Sequence, residues 1–493
     1  MRITGTILAL AILSISINNS AHAAVMDVAS MQAKTNGWVA RDNWVNRLTK
    51  SEVQRMLGFP GKVRFNKELT VSPAVDLRHL GTEVVDWRSK DGQNWVTPVL
   101  NQGNCGSCVA YATVGTLETQ MNVSRLAPFL NMRYSTDALF ACGGGGCESG
   151  WYPDAAASFL QTTGVPDEAC MPSLMSATGE DSSCSMKCSD SASRSQKISS
   201  INTPSNVDAV KAALRRGPLV TTLDVYADFI VYGSGVYKHT TGDYLGGHAI
   251  SIIGFDDARR AWIIRNSWGP DWGDHGFAYV SYDDTSGVSD STWGFEIPSI
   301  DGYVVARNLH DHDFLAGDVT INGVSTYSNT SKLTFDYNGP NNLRGGVSCA
   351  SASCGLALLT SSLPDGRYEG VMTAQHDGKA SVSDKRYFYV VNHKPDMKLS
   401  FSVKDGDVTK PLSGRVVFNV DAASAPVPLA ALQLVVKQGD KVVYTKGADM
   451  VIPKMTMGWR TIFVPNGNYT ISLKGTVAGY ETESNSYNIS VKN

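Results

Sequence analysis

The chain has 493 residues, 42% of them hydrophobic and 18% charged, with a formal net charge of −3. That length accommodates about two to four domains of ordinary size. The weak charge gives no basis for binding nucleic acid or for attraction to an anionic membrane, and neither partner is expected.

The N-terminus reads as a targeting segment. Arg2 supplies a positive start, Ile7 to Ile17 is an apolar run of 11 residues, and Ala21-His22-Ala23 places small residues at a cleavage site. A run that short cannot cross a bilayer, which takes about 20 apolar residues. Residues 1–23 are therefore expected to be a signal peptide, and the mature protein is expected to be secreted with no membrane span. In an oxidising compartment most cysteines pair. There are nine: Cys105, Cys108, Cys142, Cys147, Cys170, Cys184, Cys188, Cys349 and Cys354, so at least one thiol stays free.

Residues 24–84 are polar and carry one clear helix signal. Thr49 can cap it, Glu52 completes a capping box, and Gly58 stops it, with Val53, Met56 and Leu57 on one face. Residues 85–302 hold seven of the nine cysteines and seven of the ten tryptophans, which marks a separate core domain.

From 303 onward short alternating runs recur between turn residues, such as Leu333-Thr334-Phe335-Asp336-Tyr337 and Leu432-Gln433-Leu434-Val435-Val436. They read as β-strands. Leu363-Pro364-Asp365-Gly366-Arg367-Tyr368 is echoed 101 residues later by Val464-Pro465-Asn466-Gly467-Asn468-Tyr469. Tyr387-Phe388-Tyr389-Val390-Val391 is echoed 100 residues later by Tyr487-Asn488-Ile489-Ser490-Val491. The period predicts tandem Ig-like β-sandwich modules over 303–394 and 395–493, a single large β domain being the alternative.

The chemistry-bearing segment is Gln102-Gly103-Asn104-Cys105-Gly106-Ser107-Cys108, just before the apolar run Val109-Ala110-Tyr111-Ala112. A thiol at the start of a helix faces the positive end of the macrodipole, which favours the nucleophilic thiolate. A base should then lie far off in sequence. Gly246-Gly247-His248-Ala249-Ile250 supplies it 140 residues on, with His248 predicted to open a β-strand. Asn266 follows the apolar run from Ala261 to Ile264 and can orient the imidazole from a neighbouring strand. The amide of Gln102 and the backbone N–H of Cys108 can form an oxyanion hole. Cys105 and Cys108 also spell C-x-x-C, a redox or metal pair in other settings, but no second C-x-x-C accompanies it. No metal and no cofactor is expected. His239 and His275 read as surface residues.

These blocks resemble the papain family of cysteine peptidases, the cathepsin B branch most of all. The family's Gln-Gly-x-Cys-Gly-Ser-Cys block stands at 102–108, Gly-Gly-His-Ala at 246–249 and Asn-Ser-Trp-Gly at 266–269, while Val85-Asp86-Trp87-Arg88 resembles a mature N-terminus. The resemblance implies an α+β fold of two lobes, one helical and one like a β-barrel, over 85–302. It implies Gln102, Cys108, His248 and Asn266 as catalytic residues, and Ser149, Gly150, Gly247 and Trp268 at the substrate groove. Two positions depart from the pattern: Val109 stands where the family has Trp or Tyr, and Ser149 where it has Gly. The resemblance further implies the disulfides Cys105–Cys147, Cys142–Cys184 and Cys170–Cys188. Cys349 and Cys354 would close a local loop, leaving Cys108 free.

The resemblance also implies a propeptide over 24–84 that inhibits its own enzyme, with cleavage near 83–86, and polypeptide substrates. Between Cys170 and Cys184, where cathepsin B carries an occluding loop with paired histidines, this chain has no His and no basic residue, which predicts endopeptidase rather than dipeptidyl carboxypeptidase action. Two alternatives stand beside a secreted zymogen: an inactive peptidase-like binding or adhesin protein, and a thiol acyltransferase or transpeptidase. For the C-terminal modules a surface, carbohydrate or protein ligand is weighed against a spacer role.

Overall fold

The computed structural model describes residues 25–61 and 82–493, apart from 36, 126, 129, 131, 299–301, 310–312, 384, 405–407, 449–453 and 462–463. The expected signal peptide, and residues 24 and 62–81 of the expected propeptide, lie outside the described residues.

The helix Lys50–Met56 starts where its capping box dictates. Thr49 Oγ1 accepts from the Glu52 N–H at 3.3 Å, and Glu52 Oε2 accepts from the Thr49 N–H at 2.8 Å. Its apolar residues do not form a core of their own. Trp38, Val45, Leu48, Val53, Met56 and Leu57 share one hydrophobic core with the strands of the following domain. The strand Trp38–Ala40 pairs antiparallel with Tyr232–Tyr237, so the N-terminal segment is woven into the sheet.

Residues 82–298 build two lobes with separate cores. One centres on the helix Cys108–Ser124, buried over nearly its whole length, against which Thr136–Gly143 and Pro153–Thr162 pack. Its buried polar residues are bonded inside the domain: Glu118 accepts from Thr97 Oγ1 and from the Tyr134 N–H, and Asn122 Nδ2 donates to the Trp95 carbonyl. The other lobe is a sheet, nine-stranded among the described residues, in the order Trp38–Ala40, Tyr232–Tyr237, Phe277–Ser281, Ala261–Arg265, Tyr244–Asp256, Leu219–Tyr226, Thr292–Glu296 and Ser200–Asn202, with Val84–Asp86 on Tyr244–Asp256. The long helix lies against Tyr244–Asp256. This contact brings the start of the helix to the strand that carries His248.

His248 does not open its strand, as the sequence predicts, but lies inside Tyr244–Asp256. Pairing with Leu219–Tyr226 runs back through Gly247 and Gly246 to Tyr244, and Leu223 stands opposite His248. Gly246 and Gly247 still take part in cross-strand pairing, so they thin the side chains without ending the strand.

The C-terminal part is β-rich. Val304–Ala306, Val319–Ser325 and Ser353–Leu358 form one sheet. A second holds Asp313–Leu315, Arg386–Val390, Gly366–His376, Thr330–Asn338, Arg344–Cys349 and Lys379–Val382. Leu333, Phe335, Tyr368, Met372 and Phe388 fill the space between them. Next comes a sheet of Asp396–Val403, Arg415–Ala425 and Lys454–Arg460. It is followed by one of Lys441–Ala448, Ala431–Gln438, Gly467–Val477, Tyr480–Glu483 and Tyr487–Val491, with their own core.

The two groups repeat their hydrogen bonds at an offset of 101 residues. Tyr368 OH donates to the Pro364 carbonyl at 2.8 Å, and Tyr469 OH to that of Pro465 at 2.7 Å. Asn392 Nδ2 donates to the carbonyls of Thr360 and Leu363, and Asn493 Nδ2 to those of Thr461 and Val464. The first group is joined to the helical lobe: Val305 and Val324 enter its core, and the Arg194 guanidinium lies 5.2 Å from the Tyr387 ring centre.

Candidate active site

Cys108 is the first residue of the long helix, with Ser107 at its N-cap position, and it is the free cysteine of the structure. The other eight are paired: Cys105–Cys147, Cys142–Cys184, Cys170–Cys188 and Cys349–Cys354. Cys105 is therefore tied to Cys147 rather than available to Cys108 as a C-x-x-C partner. Cys105, Cys147 and an Asp181 oxygen lie within 4.8 Å of one another, but disulfide sulfurs are not thiolates, and Asp181 accepts from the Cys147 N–H. That donor set does not suit a metal.

His248 comes from the central strand, and Asn266 directly follows the neighbouring strand Ala261–Arg265. The strands pair antiparallel, with Ser251 opposite Arg265, which sets the two side chains side by side. His248 Nε2 donates to Asn266 Oδ1 at 2.9 Å. That bond fixes the tautomer and leaves Nδ1, buried and without a hydrogen-bond partner among the described residues, to take up a proton. Trp268 stacks on the imidazole, ring centres 4.8 Å apart, and is itself buried.

Gln102 is fully buried. Its Oε1 accepts from Ser267 Oγ at 2.6 Å, and its Nε2 donates to the carbonyls of Cys105 and Met56, both at 2.9 Å. The Met56 contact shows what covers the site. Past the helix Lys50–Met56 the chain crosses the cleft in extended form. The Trp151 N–H donates to Gly58 O at 2.8 Å, and the Phe59 N–H to Gly247 O at 3.2 Å. Gly58 has no room for a side chain, since a Cβ there would stand 1.8 Å from Gly106 O. Gly150 is equally bare at this crossing: with φ +69°, its Cβ would fall 2.0 Å from Gly58 O.

Burial governs the electrostatics. With the cleft covered, desolvation pushes the Cys108 thiol up to about 11, against smaller help from the backbone N–H groups of Ala249, Gly58 and Val109. Desolvation likewise pulls His248 down to about 4, opposed by its bond to Asn266. Both groups are thus neutral at neutral pH while residues 56–59 lie on them.

The structure brings Gln102, Cys108, His248, Asn266, Gly150, Gly247 and Trp268 to one cleft. Ser149 borders it but is exposed, and Val109 is buried in the core of the helical lobe, as is Cys108. His275 is exposed, as expected, whereas His239 is not a plain surface residue: its Nδ1 lies 3.1 Å from Asp228, and it stacks on Tyr226. The sequence gives no sign of Asp137, buried on the helical lobe. Its Oδ2 accepts from the N–H groups of Leu174 and Met175 and from Ser182 Oγ, pinning the segment 171–183 at two points. Burial raises its carboxyl to about 6.

The model of the papain family cysteine proteases matches residues 81–293. Cathepsin B-like CP1 of Giardia intestinalis is 34% identical over 246 residues, which cover 47% of this chain and 79% of that protein. The chain belongs to the papain family of cysteine proteases. Cathepsin B-like CP3 of the same organism is 36% identical over 191 residues, 37% of this chain, and the chain spans 63% of that relative's length. Among solved structures, procathepsin B S9 from Trypanosoma congolense aligns over 56% of this chain and all of its own, with a TM-score of 0.47 and 21% identity. No described helix is long and apolar enough to cross a membrane.

Proposed function

We propose that the chain is a secreted cysteine endopeptidase made as a latent zymogen. The observation that carries this reading is the covered constellation. Cys108 heads a helix, His248 is oriented by Asn266, and the donor on Gln102 is held by the carbonyl of Met56. Residues 1–23 act as the signal peptide, 24–84 as the propeptide, 85–302 as the peptidase, and 303–394 and 395–493 as Ig-like modules. The repeated tyrosine-to-carbonyl bonds at Tyr368 and Tyr469 support that last assignment, since Ig-type sandwiches use such corners.

Once the cover leaves, water re-enters the cleft and the thiolate–imidazolium pair becomes the favoured state. Cys108 attacks the scissile carbonyl, and Gln102 Nε2 with the Cys108 N–H receives the developing oxyanion. His248 passes its proton to the leaving amine, then takes one from water as the thioester is hydrolysed. The Trp151 N–H, next to the bare Gly150, and the Gly247 carbonyl, which bond the crossing segment, would hold an extended substrate in the same way. An endopeptidase fits the segment 171–183, which offers no cation to a substrate's C-terminal carboxylate and is tied down by Asp137.

The test is cleavage of an internally quenched peptide by the chain before and after removal of residues 24–84, beside Cys108→Ala. Turnover that appears on removal and is absent in Cys108→Ala supports the reading. Equal activity of the covered and uncovered forms would refute latency, and activity in Cys108→Ala would refute the nucleophile.

A further inference from the structure

The short helix Met175–Thr178 stands between the second C-terminal group of sheets and the active site. On its outer side it meets the edge strand Lys454–Arg460, and Ala177 packs against the core formed by residues such as Met457 and Trp459. On its inner side it meets the loop that carries Gln102. Gly103 has φ +62°, and a Cβ there would lie 2.1 Å from Ser176 O, so the two backbones are in direct contact. The covering segment uses the same helix: Arg55 Nη2 donates to Gly179 O at 2.9 Å, one residue past its end. Arg47, also in that segment, acts electrostatically on the half-buried Tyr444 of the second group.

The inner contact matters because Gly103 is bonded to Gln102. The position of the Gln102 amide is set by Ser267 Oγ, which donates to its Oε1, and by the loop carbonyl of Cys105, which accepts from its Nε2. A helix of four residues has no stability of its own. It holds its place through Asp137 inside and through the apolar contact at Ala177 outside.

We propose that Ala177 is a positioning residue for the oxyanion hole. Through it, the second C-terminal group of sheets buttresses the loop bearing Gln102 and so sets the rate of the peptidase it is attached to. The C-terminal region then has a role within the molecule, whatever else it binds. The inference rests on the peptidase reading above, and its test separates the two.

The experiment folds the full chain, then removes the N-terminal segment, and compares the parent with Ala177→Asp, which puts a charge into the apolar contact, and with Ala177→Ser as the conservative control. Iodoacetamide alkylation of Cys108 counts competent sites and passes through no oxyanion, whereas peptide hydrolysis does. Since small misplacement of a catalytic group can cost up to about 10²-fold, the expected result for Ala177→Asp is a kcat per alkylatable Cys108 lower by about tenfold. KM and the alkylation rate stay unchanged, and Ala177→Ser is restored to the parent value. Should Ala177→Asp not fold, Ala177→Gln carries the same prediction at smaller amplitude. A kcat per site equal to the parent's in the folded variant overturns the inference. A parent chain that alkylates at Cys108 but hydrolyses no peptide overturns the peptidase reading instead.

Discussion

Gln102 Nε2 lies 2.9 Å from the carbonyl oxygen of Met56, so the donor proposed for the oxyanion is engaged by the chain's own N-terminal segment. Two residues further on, Gly58 passes so close to Gly106 that a methyl group at 58 would meet its carbonyl at 1.8 Å. Backbone atoms cannot yield there as a flexible side chain could. Gly58→Ala is therefore expected to lift the segment off the cleft while the rest of the chain folds normally. The measurement is Cys108 alkylation in the full-length chain. A rate at least about tenfold above the parent is expected, since about 1.4 kcal/mol of lost cover stability gives that factor. A parent-like rate would mean that the crossing is not what closes the site.

The protonation states follow from the cover. Burial raises Cys108 to about 11 and lowers His248 to about 4, so the pair is neutral between those values while residues 56–59 are in place. Only the thiolate alkylates. In the covered chain the rate with iodoacetamide should rise about tenfold per pH unit between pH 7 and 9, because the thiol, raised to about 11, titrates above that interval. After removal of the segment the profile should flatten over the same interval. The helix N-terminus and a hydrated His248 then keep the thiolate populated well below the ordinary cysteine range. Identical slopes in the two forms would remove burial as the cause of the neutral pair.

How much of this was legible in the sequence depends on the range of the interactions. Gln102, Cys108, His248 and Asn266 stand in compact blocks, each with its glycines and apolar flank, and local chemistry suffices to mark them. The capping box at Thr49 and Glu52 is readable for the same reason. Asp137 is not: within Ser135-Thr136-Asp137 it looks like any first-turn acid, and its bonds reach residues 37 and 45 positions away. The contact of Ala177 with the second C-terminal group spans almost 300 residues and leaves no periodic trace. The placement of His248 at a strand start failed on a different point, because pairing across Gly246 and Gly247 is decided by the partner strand and not by the glycines themselves.

Asn266 offers a test of the orienting bond. Its Oδ1 holds His248 Nε2 at 2.9 Å and also accepts from the Ser267 N–H at 2.8 Å. In Asn266→Ala the imidazole is free to adopt the other tautomer, with the proton on Nδ1, where it cannot accept one from the thiol. The uncovered enzyme should lose about 10²-fold in kcat, the scale of a misdirected general base, with little change in KM. Asn266→Gln, which keeps the amide but moves it, should fall between. Loss confined to KM would assign Asn266 to binding instead.

Asp137 supplies the last prediction, on stability rather than rate. Burial raises its carboxyl to about 6, opposed by the donors Ser182, Leu174 and Met175, while an unfolded aspartate titrates near 3.9. The folded chain therefore holds a proton that the unfolded chain gives up between those values. Stability from this group is fullest below pH 4, falls as pH rises through 6, and stays at the lower level above. Two pKa units correspond to about 3 kcal/mol at most. Among the described residues Asp137 Oδ1 is buried with no partner, whereas Oδ2 accepts three bonds, the arrangement a neutral carboxyl or an amide can fill. Asp137→Asn is accordingly expected to match the parent at pH 4 and to equal or exceed it at pH 7. Asp137→Ala leaves buried donors unanswered and should cost about 2–3 kcal/mol at both. Urea midpoints of the Cys108→Ala background at the two pH values report the difference. A parent more stable than Asp137→Asn at pH 7 would show that the clip works through the ionised carboxylate.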